Sequence, residues 1–386
     1  MSLTLVLNSS AQTNLTFRSN LLYPNDALSN IGGYQDSLGN EYALVGYESG
    51  LSIVNVTDPA NPVEVFTVPG TSSIWREVKT MDNYAYVTTE GCCNGLQIVN
   101  LGYLPDSIQY KQWKGSGAIN NQLETIHALH VDGGHAYLFG SNLFNGAAII
   151  CDLADPWNPV YRGYTQGTDI HDGYVRNDTL YSAHIYDGYF SVFDVTNKTS
   201  PVLLATQSTP TQFTHNLWLN DAGTAIFTTD ENTNSFLGSY DITDLSNIKE
   251  LDRVQLTPGS GSIIHNTHTL NDFEIISWYK DGIAIVDVSR PDNMIITGQY
   301  DTYPQGTGNG FNGAWGVYPY LPSGNIVVSD INNGLFVLTP TYVRGCYLEG
   351  LVTDTNTTFP LNNVVVKILG PSISKTQKSR DSIKQV

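Results

Sequence analysis

Residues 282–291 read Gly-Ile-Ala-Ile-Val-Asp-Val-Ser-Arg-Pro, and residues 50–59 read Gly-Leu-Ser-Ile-Val-Asn-Val-Thr-Asp-Pro. Both segments contain a glycine, an apolar run rich in β-branched residues, an Asn or Asp that ends the run, and a proline-containing loop. Short apolar runs between turn residues are typical of β-strands. Because the two copies lie far apart in the chain, they predict an internal repeat built from strands.

The repeat occurs seven times, and each copy is marked by the residue that ends its apolar run. Those residues are Asn55, Asn100, Asp152, Asp194, Asp241, Asp287 and Thr339, at steps of 42 to 52 residues. We expect the Asn and Asp side chains to cap the strands by accepting hydrogen bonds from backbone N–H groups. Repeats of this length with several strands each indicate propeller blades. The sequence therefore predicts an all-β protein containing a seven-bladed β-propeller.

Closure of the propeller needs one strand from the other end of the chain. The last copy ends near Pro340 without an outer strand, whereas residues 13–23 precede the first copy and have the pattern of a strand. We expect this N-terminal strand to complete the last blade and remove an open sheet edge. The predicted propeller then spans residues 13–340.

The segments outside the propeller have a different character. Residues 341–370 resemble the truncated start of a carboxypeptidase-regulatory-like β-sandwich. Residues 371–386 are polar and basic and are predicted to be disordered. Residues 1–12 are interpreted as a signal-peptide remnant or a disordered segment.

Composition narrows the classes of partner. The chain has 386 residues and a formal net charge of −18, which argues against nucleic acid as a ligand. No run of 18 apolar residues occurs, so no membrane span is predicted. Only 14% of residues are charged, which fits a secreted or cell-surface β-protein, and we expect a monomer. The adjacent Cys92 and Cys93 form either a vicinal disulfide or two free thiols.

Several sequence blocks recur in a fixed order along the chain. They begin at Glu41, Trp75, Asn83, Gly95, Phe213, Gly313 and Gly334. Over roughly Asn14 to Pro340 these blocks resemble the LVIVD-repeat family, also described as the choice-of-anchor B family, of bacterial extracellular proteins. The resemblance implies a secreted or surface propeller with a C-terminal anchor, and it implies no particular activity. The chain departs from the family pattern at Gly32, where the first repeat of the family usually has Trp.

Each copy also has an upstream strand that opens with one marked residue. Alignment by distance to the following strand gives Gly32, Trp75, His127, His171, His215, His265 and Trp315. In a propeller the innermost strands line a central channel, and their first residues lie at its mouth. Four imidazoles around one axis predict a divalent metal site, with Zn or Cu as the favoured ions. Carboxylates expected at the same face from the following turns are Glu90, Asp230, Glu231 and Asp330, and Glu77, Asp169 and Asp172 flank the marked positions.

A structural interpretation competes with this one. A histidine repeated in successive blades can order each blade through hydrogen bonds to its neighbour. The Asp-Pro loops resemble Ca ligands, although Asp and Pro also form ordinary turns, which we favour. Trp218, Trp278, Tyr279, Tyr318 and Tyr320 fit either a glycan-stacking surface or the blade cores, and we favour the cores.

Three functions therefore stay open. The first is a binding or adhesion module for an extracellular glycan or protein, with its ligand at the channel mouth. The second is a metal-dependent hydrolase or lyase that uses the four histidines with Asp230, Glu231 or Glu77. The third is a structural surface spacer. The sequence favours a protein that is not an enzyme and does not identify the ligand.

Overall fold

The computed structural model describes residues 12–347, 352–359, 361, 364–369 and 374–378. Seven four-stranded antiparallel sheets follow one another along this part of the chain, and a separate two-stranded sheet lies near its C-terminal end. The inner strands of neighbouring sheets contact each other around a closed ring. The predicted seven-bladed β-propeller is thus confirmed.

The blades are numbered from the N-terminus, and their strands are given from the channel outward. Blade 1 contains β2 (Leu28–Gln35), β3 (Glu41–Tyr47), β4 (Gly50–Asn55) and β5 (Val63–Pro69). Blade 2 contains β6 (Val78–Met81), β7 (Tyr84–Val87), β8 (Leu96–Asn100) and β9 (Gln109–Trp113). Blade 3 contains β10 (Ala128–Asp132), β11 (His135–Phe139), β12 (Ile149–Asp152) and β13 (Val160–Tyr164). Blade 4 contains β14 (Asp172–Arg176), β15 (Thr179–His184), β16 (Tyr189–Asp194) and β17 (Val202–Ser208).

The remaining blades follow the same order. Blade 5 contains β18 (Thr214–Leu219), β19 (Ala225–Asp230), β20 (Leu237–Asp241) and β21 (Lys249–Val254). Blade 6 contains β22 (Thr267–Leu270), β23 (Phe273–Ser277), β24 (Ile283–Asp287) and β25 (Ile295–Tyr300). Blade 7 contains β26 (Ala314–Tyr318), β27 (Ile326–Asp330), β28 (Gly334–Pro340) and β1 (Leu15–Leu21). Two short 3-10 helices cover Gly117–Ile119 and Phe144–Gly146.

The hydrophobic core lies between successive blades. Leu44 and Ile53 of blade 1, for example, pack with Val87 and Val99 of blade 2, and all four side chains are fully buried. Burial of one such side chain contributes about 1.5–3 kcal/mol. The middle strands read as near-continuous apolar runs because both faces of each blade are covered.

The chain closes the ring through its N-terminal strand. β1 pairs antiparallel with β28, from Leu15 opposite Pro340 to Leu21 opposite Leu335. Leu15 is buried among residues of blades 6 and 7, and the Arg18 side chain donates to Thr339 at 2.8 Å. β1 therefore covers what would otherwise be the free edge of β28.

The predicted strand caps are confirmed in six blades. In each case the side-chain oxygen accepts from the backbone N–H two residues later, at 2.7 to 3.0 Å. The residues are Asn55, Asn100, Asp152, Asp194, Asp241 and Asp287. The Asp-Pro loops follow the same chemistry, since Asp58 accepts from Ala60 N at 3.0 Å, which supports their interpretation as turns.

After β28 the chain runs along the outside of blade 6. Arg344 pairs with Asp272 and Asp287, and the Gly345 N–H donates to Asp287 at 2.7 Å. Further on, β29 (Val365–Leu369) pairs antiparallel with β30 (Ser374–Lys378). β30 lies inside the tail predicted to be disordered, most of which is outside the described residues, and the character of that tail stays a prediction. The β-sandwich stays a prediction.

Several further predictions concern the ends and the cysteines. The predicted signal-peptide remnant lies outside the described residues, apart from Gln12. None of the described helices is long and apolar enough to span a membrane. Cys92 and Cys93, which follow β7, are joined by a disulfide.

Candidate functional site at the channel mouth

In blades 3 to 7, one side chain in or just before the first strand reaches the channel mouth. In β18 and β26 the pairing register shifts at His215 and at Trp315, so that each stands as an extra residue in its strand. Such bulges re-aim a side chain away from the regular alternation of the strand. His127 and His171 immediately precede β10 and β14 and occupy the same place.

These residues surround a cavity of about 370 Å³. Eight of the ten predicted site residues line it: Trp75, Glu77, His127, His171, His215, Glu231, His265 and Trp315. Among the lining residues that the sequence did not indicate are Asn30, Arg76 and Phe311, and Tyr279, which the sequence favoured as a core residue, also lines the cavity. The structure thus brings most of the predicted residues together at one opening.

The four histidines form a continuous row, which we call the histidine row (His127, His171, His215 and His265). Their ring centroids are separated in turn by 4.0, 4.5 and 4.2 Å. His215 and His265 are buried. The row spans blades 3 to 6, so it covers one side of the cavity only.

One end of the row is a hydrogen-bonded pair. His127 Nδ1 lies 2.5 Å from Glu90 Oε1, and His127 Nε2 lies 3.1 Å from His171 Nε2. Gly140 makes room for this arrangement: it has φ +57°, and a Cβ on it would lie 2.7 Å from the His127 Cβ. Burial lowers the pKa of His127, but the hydrogen bond and charge of Glu90 outweigh burial and raise it. Burial and the neighbouring His127 hold the pKa of His171 well below its ordinary value.

The other end of the row meets a carboxylate. Glu231 Oε2 lies 3.9 Å from His215 Nε2, and Glu231 Oε1 lies 3.7 Å from His265 Nε2. The Tyr279 hydroxyl donates to Glu231 Oε1. His265 Nδ1 donates to the Trp315 carbonyl at 2.5 Å.

Burial dominates the electrostatics of this end. It lowers the pKa of His265 to about 3 and that of His215 well below its ordinary value, so both imidazoles are neutral at pH 7. It also raises the pKa of Glu231 to about 7, with the Tyr279 hydrogen bond acting in the opposite direction.

A second polar layer lies deeper in the channel. Glu77 accepts from Asn30 and pairs with Lys79. Across the channel, Asn216 donates to Asp172 at 2.6 Å. Burial, together with the charge of Glu77, raises the pKa of Asp172 to about 6. This layer presents carboxylates and amides behind the histidine row.

The rim of the cavity is apolar and aromatic. Ile74, Trp75 and Phe311 line the opening and are 36%, 43% and 58% exposed. The Phe311 ring packs edge-on against Tyr279 with 5.4 Å between centroids. Exposed apolar side chains from two loops therefore lie at the opening of a polar interior.

Two predicted carboxylates lie away from the cavity. Asp230 is buried and accepts from the backbone and hydroxyl of Thr211, at 2.7 and 2.9 Å. Asp330 is buried and accepts from the backbone N–H groups of Asn332 and Asn333. Both residues end the second strand of their blade: Asp230 holds the segment before β18 through Thr211, and Asp330 orders the turn that follows β27. Glu231, one residue after Asp230, reaches the channel.

The repeat alignment was also wrong at two places. In blade 2, Glu77 makes the same backbone hydrogen bonds as Asn266 makes in blade 6. Arg76 precedes Glu77, and His265 precedes Asn266. Arg76, and not Trp75, therefore corresponds to His265. Gly32 lies inside β2 and lines a second cavity of about 160 Å³ deeper in the channel. The alignment assumed equal spacing to the next strand, and loops of unequal length violate that assumption.

Below the second polar layer, aromatic rings crowd the channel. Trp218 lies 4.5 Å from Tyr174 and 4.7 Å from His268, measured between ring centroids. Trp278 is fully buried in a blade core, as favoured from the sequence. Trp218 lines the deeper cavity together with Tyr318 and Tyr320. The mouth cavity is thus separate from the deeper one.

Comparison with known proteins supports the repeat. The LVIVD repeat family matches residues 37–69 and 272–302. These segments contain the three outer strands of blade 1 and of blade 6. No curated protein matches the chain. The matches support the LVIVD family and a propeller, and they assign no ligand.

Proposed function

We propose that this protein is a secreted or cell-surface binding module that holds a neutral saccharide in the channel-mouth cavity. The observation that carries the proposal is the combination of an exposed apolar rim, at Trp75 and Phe311, with an interior of imidazole, amide and carboxylate groups. A sugar ring offers C–H groups on its faces and hydroxyl groups at its edges. It therefore complements both parts of such a cavity.

Charge selects among the saccharides. Glu77, Asp172 and Glu231 all line the cavity, and the whole chain carries a formal net charge of −18. Arg76 is already held by the backbone carbonyls of Tyr47 and Glu48. In the metal-free cavity an anionic sugar would meet these carboxylates while the Arg76 guanidinium is already engaged, so the proposal is for neutral sugars bound by the metal-free protein.

The test is a panel of neutral oligosaccharides, with glucuronic acid as the anionic comparison, screened by saturation-transfer NMR and followed by titration calorimetry. We expect a neutral sugar to bind and Trp75→Ala to weaken that binding about fivefold, since an aromatic stacking contact contributes roughly 1 kcal/mol.

The matched control is Tyr110→Ala, because Tyr110 is a similarly exposed aromatic residue on the outer strand of blade 2. Equal losses in the two variants, or the absence of binding across the whole panel, would overturn the proposal.

A further inference from the structure

The end of the histidine row at blades 5 and 6 has the donor set of a metal site. His215 comes from β18, Glu231 follows β19, and His265 precedes β22. Their ligand atoms all lie within 4.8 Å of one another. Two imidazoles and one carboxylate form a common ligand set for catalytic zinc and for other divalent transition metals.

The distances are close to those that an ion requires. Ligand atoms around a tetrahedral zinc, at about 2.0–2.1 Å from the metal, are roughly 3.3 Å apart. Glu231 lies 3.7 and 3.9 Å from the two imidazole nitrogens. Small side-chain rotations therefore suffice to close the three groups around an ion.

Hydrogen bonds orient two of the three donor groups, His265 and Glu231. Because His265 Nδ1 donates to the Trp315 carbonyl at 2.5 Å, the lone pair of the neutral ring is on Nε2, which faces Glu231. The Tyr279 hydroxyl holds Glu231 Oε1, which leaves Oε2 for the ion. Outer partners of this kind orient the ligands in metal sites and set their affinity.

The other two histidines are engaged elsewhere. His127 is bonded to Glu90 through one nitrogen and to His171 through the other. That contact occupies the Nε2 atom of His171 as well. The four-histidine site expected from the sequence thus separates into the hydrogen-bonded pair His127–His171 and the pair His215–His265, which lies beside Glu231.

We infer that His215, His265 and Glu231 bind one divalent transition-metal ion, with Zn²⁺ as the reference, and that an open coordination position faces the channel-mouth cavity. The site goes beyond the proposed saccharide binding and does not depend on it. Three protein ligands leave room for water or a ligand atom at the fourth position.

The test uses the full chain without a His tag, stripped with a chelator and titrated with Co²⁺, whose visible absorption reports on its coordination. We expect one equivalent of Co²⁺ to bind and Zn²⁺ to displace it. Glu231→Gln, which keeps the size of the side chain, should abolish this absorption. Tyr279→Phe should weaken binding at least about tenfold, as outer-partner substitutions do.

Two controls separate this site from others. His171→Gln should leave the stoichiometry unchanged, because His171 is not a ligand. Glu124→Gln tests the second group of converging donors among the described residues, which is Cys92, Cys93 and Glu124. If either control variant lost Co²⁺ binding as completely as Glu231→Gln, the assignment of His215, His265 and Glu231 as the ligands would be overturned.

The remaining outcomes of the titration also test the metal site separately from the saccharide proposal. Failure of the folded, stripped protein to bind Co²⁺ or Zn²⁺ at micromolar concentration overturns the metal site and leaves the saccharide proposal standing. Circular dichroism and the melting temperature of each variant establish that it is folded. Since no sugar is present in the titration, the two proposals fail separately.

Discussion

Replacement of Glu274 by Gln should change how the stability of the propeller depends on pH. Glu274 lies in β23 without exposed surface and accepts hydrogen bonds from the hydroxyls of Thr267 and Thr269. Burial raises its pKa from 4.5 to about 8, although the two hydroxyls act in the opposite direction. The folded protein therefore keeps a proton on Glu274 at pH values where the unfolded chain has lost it.

The sign and size follow from linkage. Between about pH 4.5 and pH 8 the folded state binds more protons at this residue than the unfolded state, so the free energy of unfolding falls as the pH rises. The slope is about 1.4 kcal/mol per pH unit, which gives an upper limit of about 4 kcal/mol between pH 5 and pH 8. With an unfolding entropy of about 2.1 cal/mol/K per residue, this corresponds to roughly 6 °C in the Tm of the propeller.

The assay compares the wild type with Glu274→Gln by urea and thermal unfolding at pH 5, 6, 7 and 8. Other carboxyl groups with raised pKa values, such as Asp172 and Glu231, are present in both proteins and cancel in the difference. We expect the variant to gain stability over the wild type steadily as the pH rises. A difference that stays constant from pH 5 to pH 8 would refute the reasoning, because Glu274 would then ionise alike in the folded and unfolded states.

Three further predictions concern the seam, the core and the histidine row. Deletion of residues 13–24 should lower the Tm markedly in thermal scans, because it removes β1 and exposes the edge of β28; an unchanged melting curve would contradict closure by this strand. Leu44→Ala should cost about 2–5 kcal/mol in urea unfolding because Leu44 is fully buried, whereas Leu38→Ala, at a side chain 73% exposed, should change stability by less than about 0.5 kcal/mol. Glu90→Gln should lower the pKa of His127, because burial then acts without the opposing carboxylate. NMR titration of the imidazole measures this pKa, and an unchanged value would show that Glu90 does not stabilise the protonated ring of His127.

The fold was predictable from the sequence because every blade of a propeller repeats the same local pattern of strands and turns. The same apolar run and the same capping Asn or Asp recur in successive blades, and the backbone N–H that each cap binds is always two residues away. Closure by β1 could be expected from the counting of strands alone. These features depend on local chemistry and on strand number, both of which are visible in one sequence.

The site was predictable only in part, because repeat equivalence gives the place of a residue and not the direction of its side chain. His127 and His265 hold equivalent places, yet Glu90 binds one and the Trp315 carbonyl binds the other. Those partners come from other loops and blades, which differ in length and sequence. Tyr279 and Phe311 likewise come from loops. The sequence indicated Tyr279 only as an aromatic residue of the core or of a glycan surface, and no signal in the repeat identifies Phe311.

The seam between β1 and β28 also has a mechanical consequence. Leu15 pairs with Pro340, so the two ends of the chain leave this ladder at the same end. A force that pulled the two chain ends apart would act perpendicular to the strands at this end of the ladder. It would break the hydrogen bonds between β1 and β28 one pair after another, and not all together in shear. A pulling force applied through a tether beyond residue 347 would act first on the contacts of Arg344 and Gly345. Both residues bind the carboxylate of Asp287 in blade 6. The segment over blade 6 would then carry tension before that tension reaches the pairing of β1 with β28.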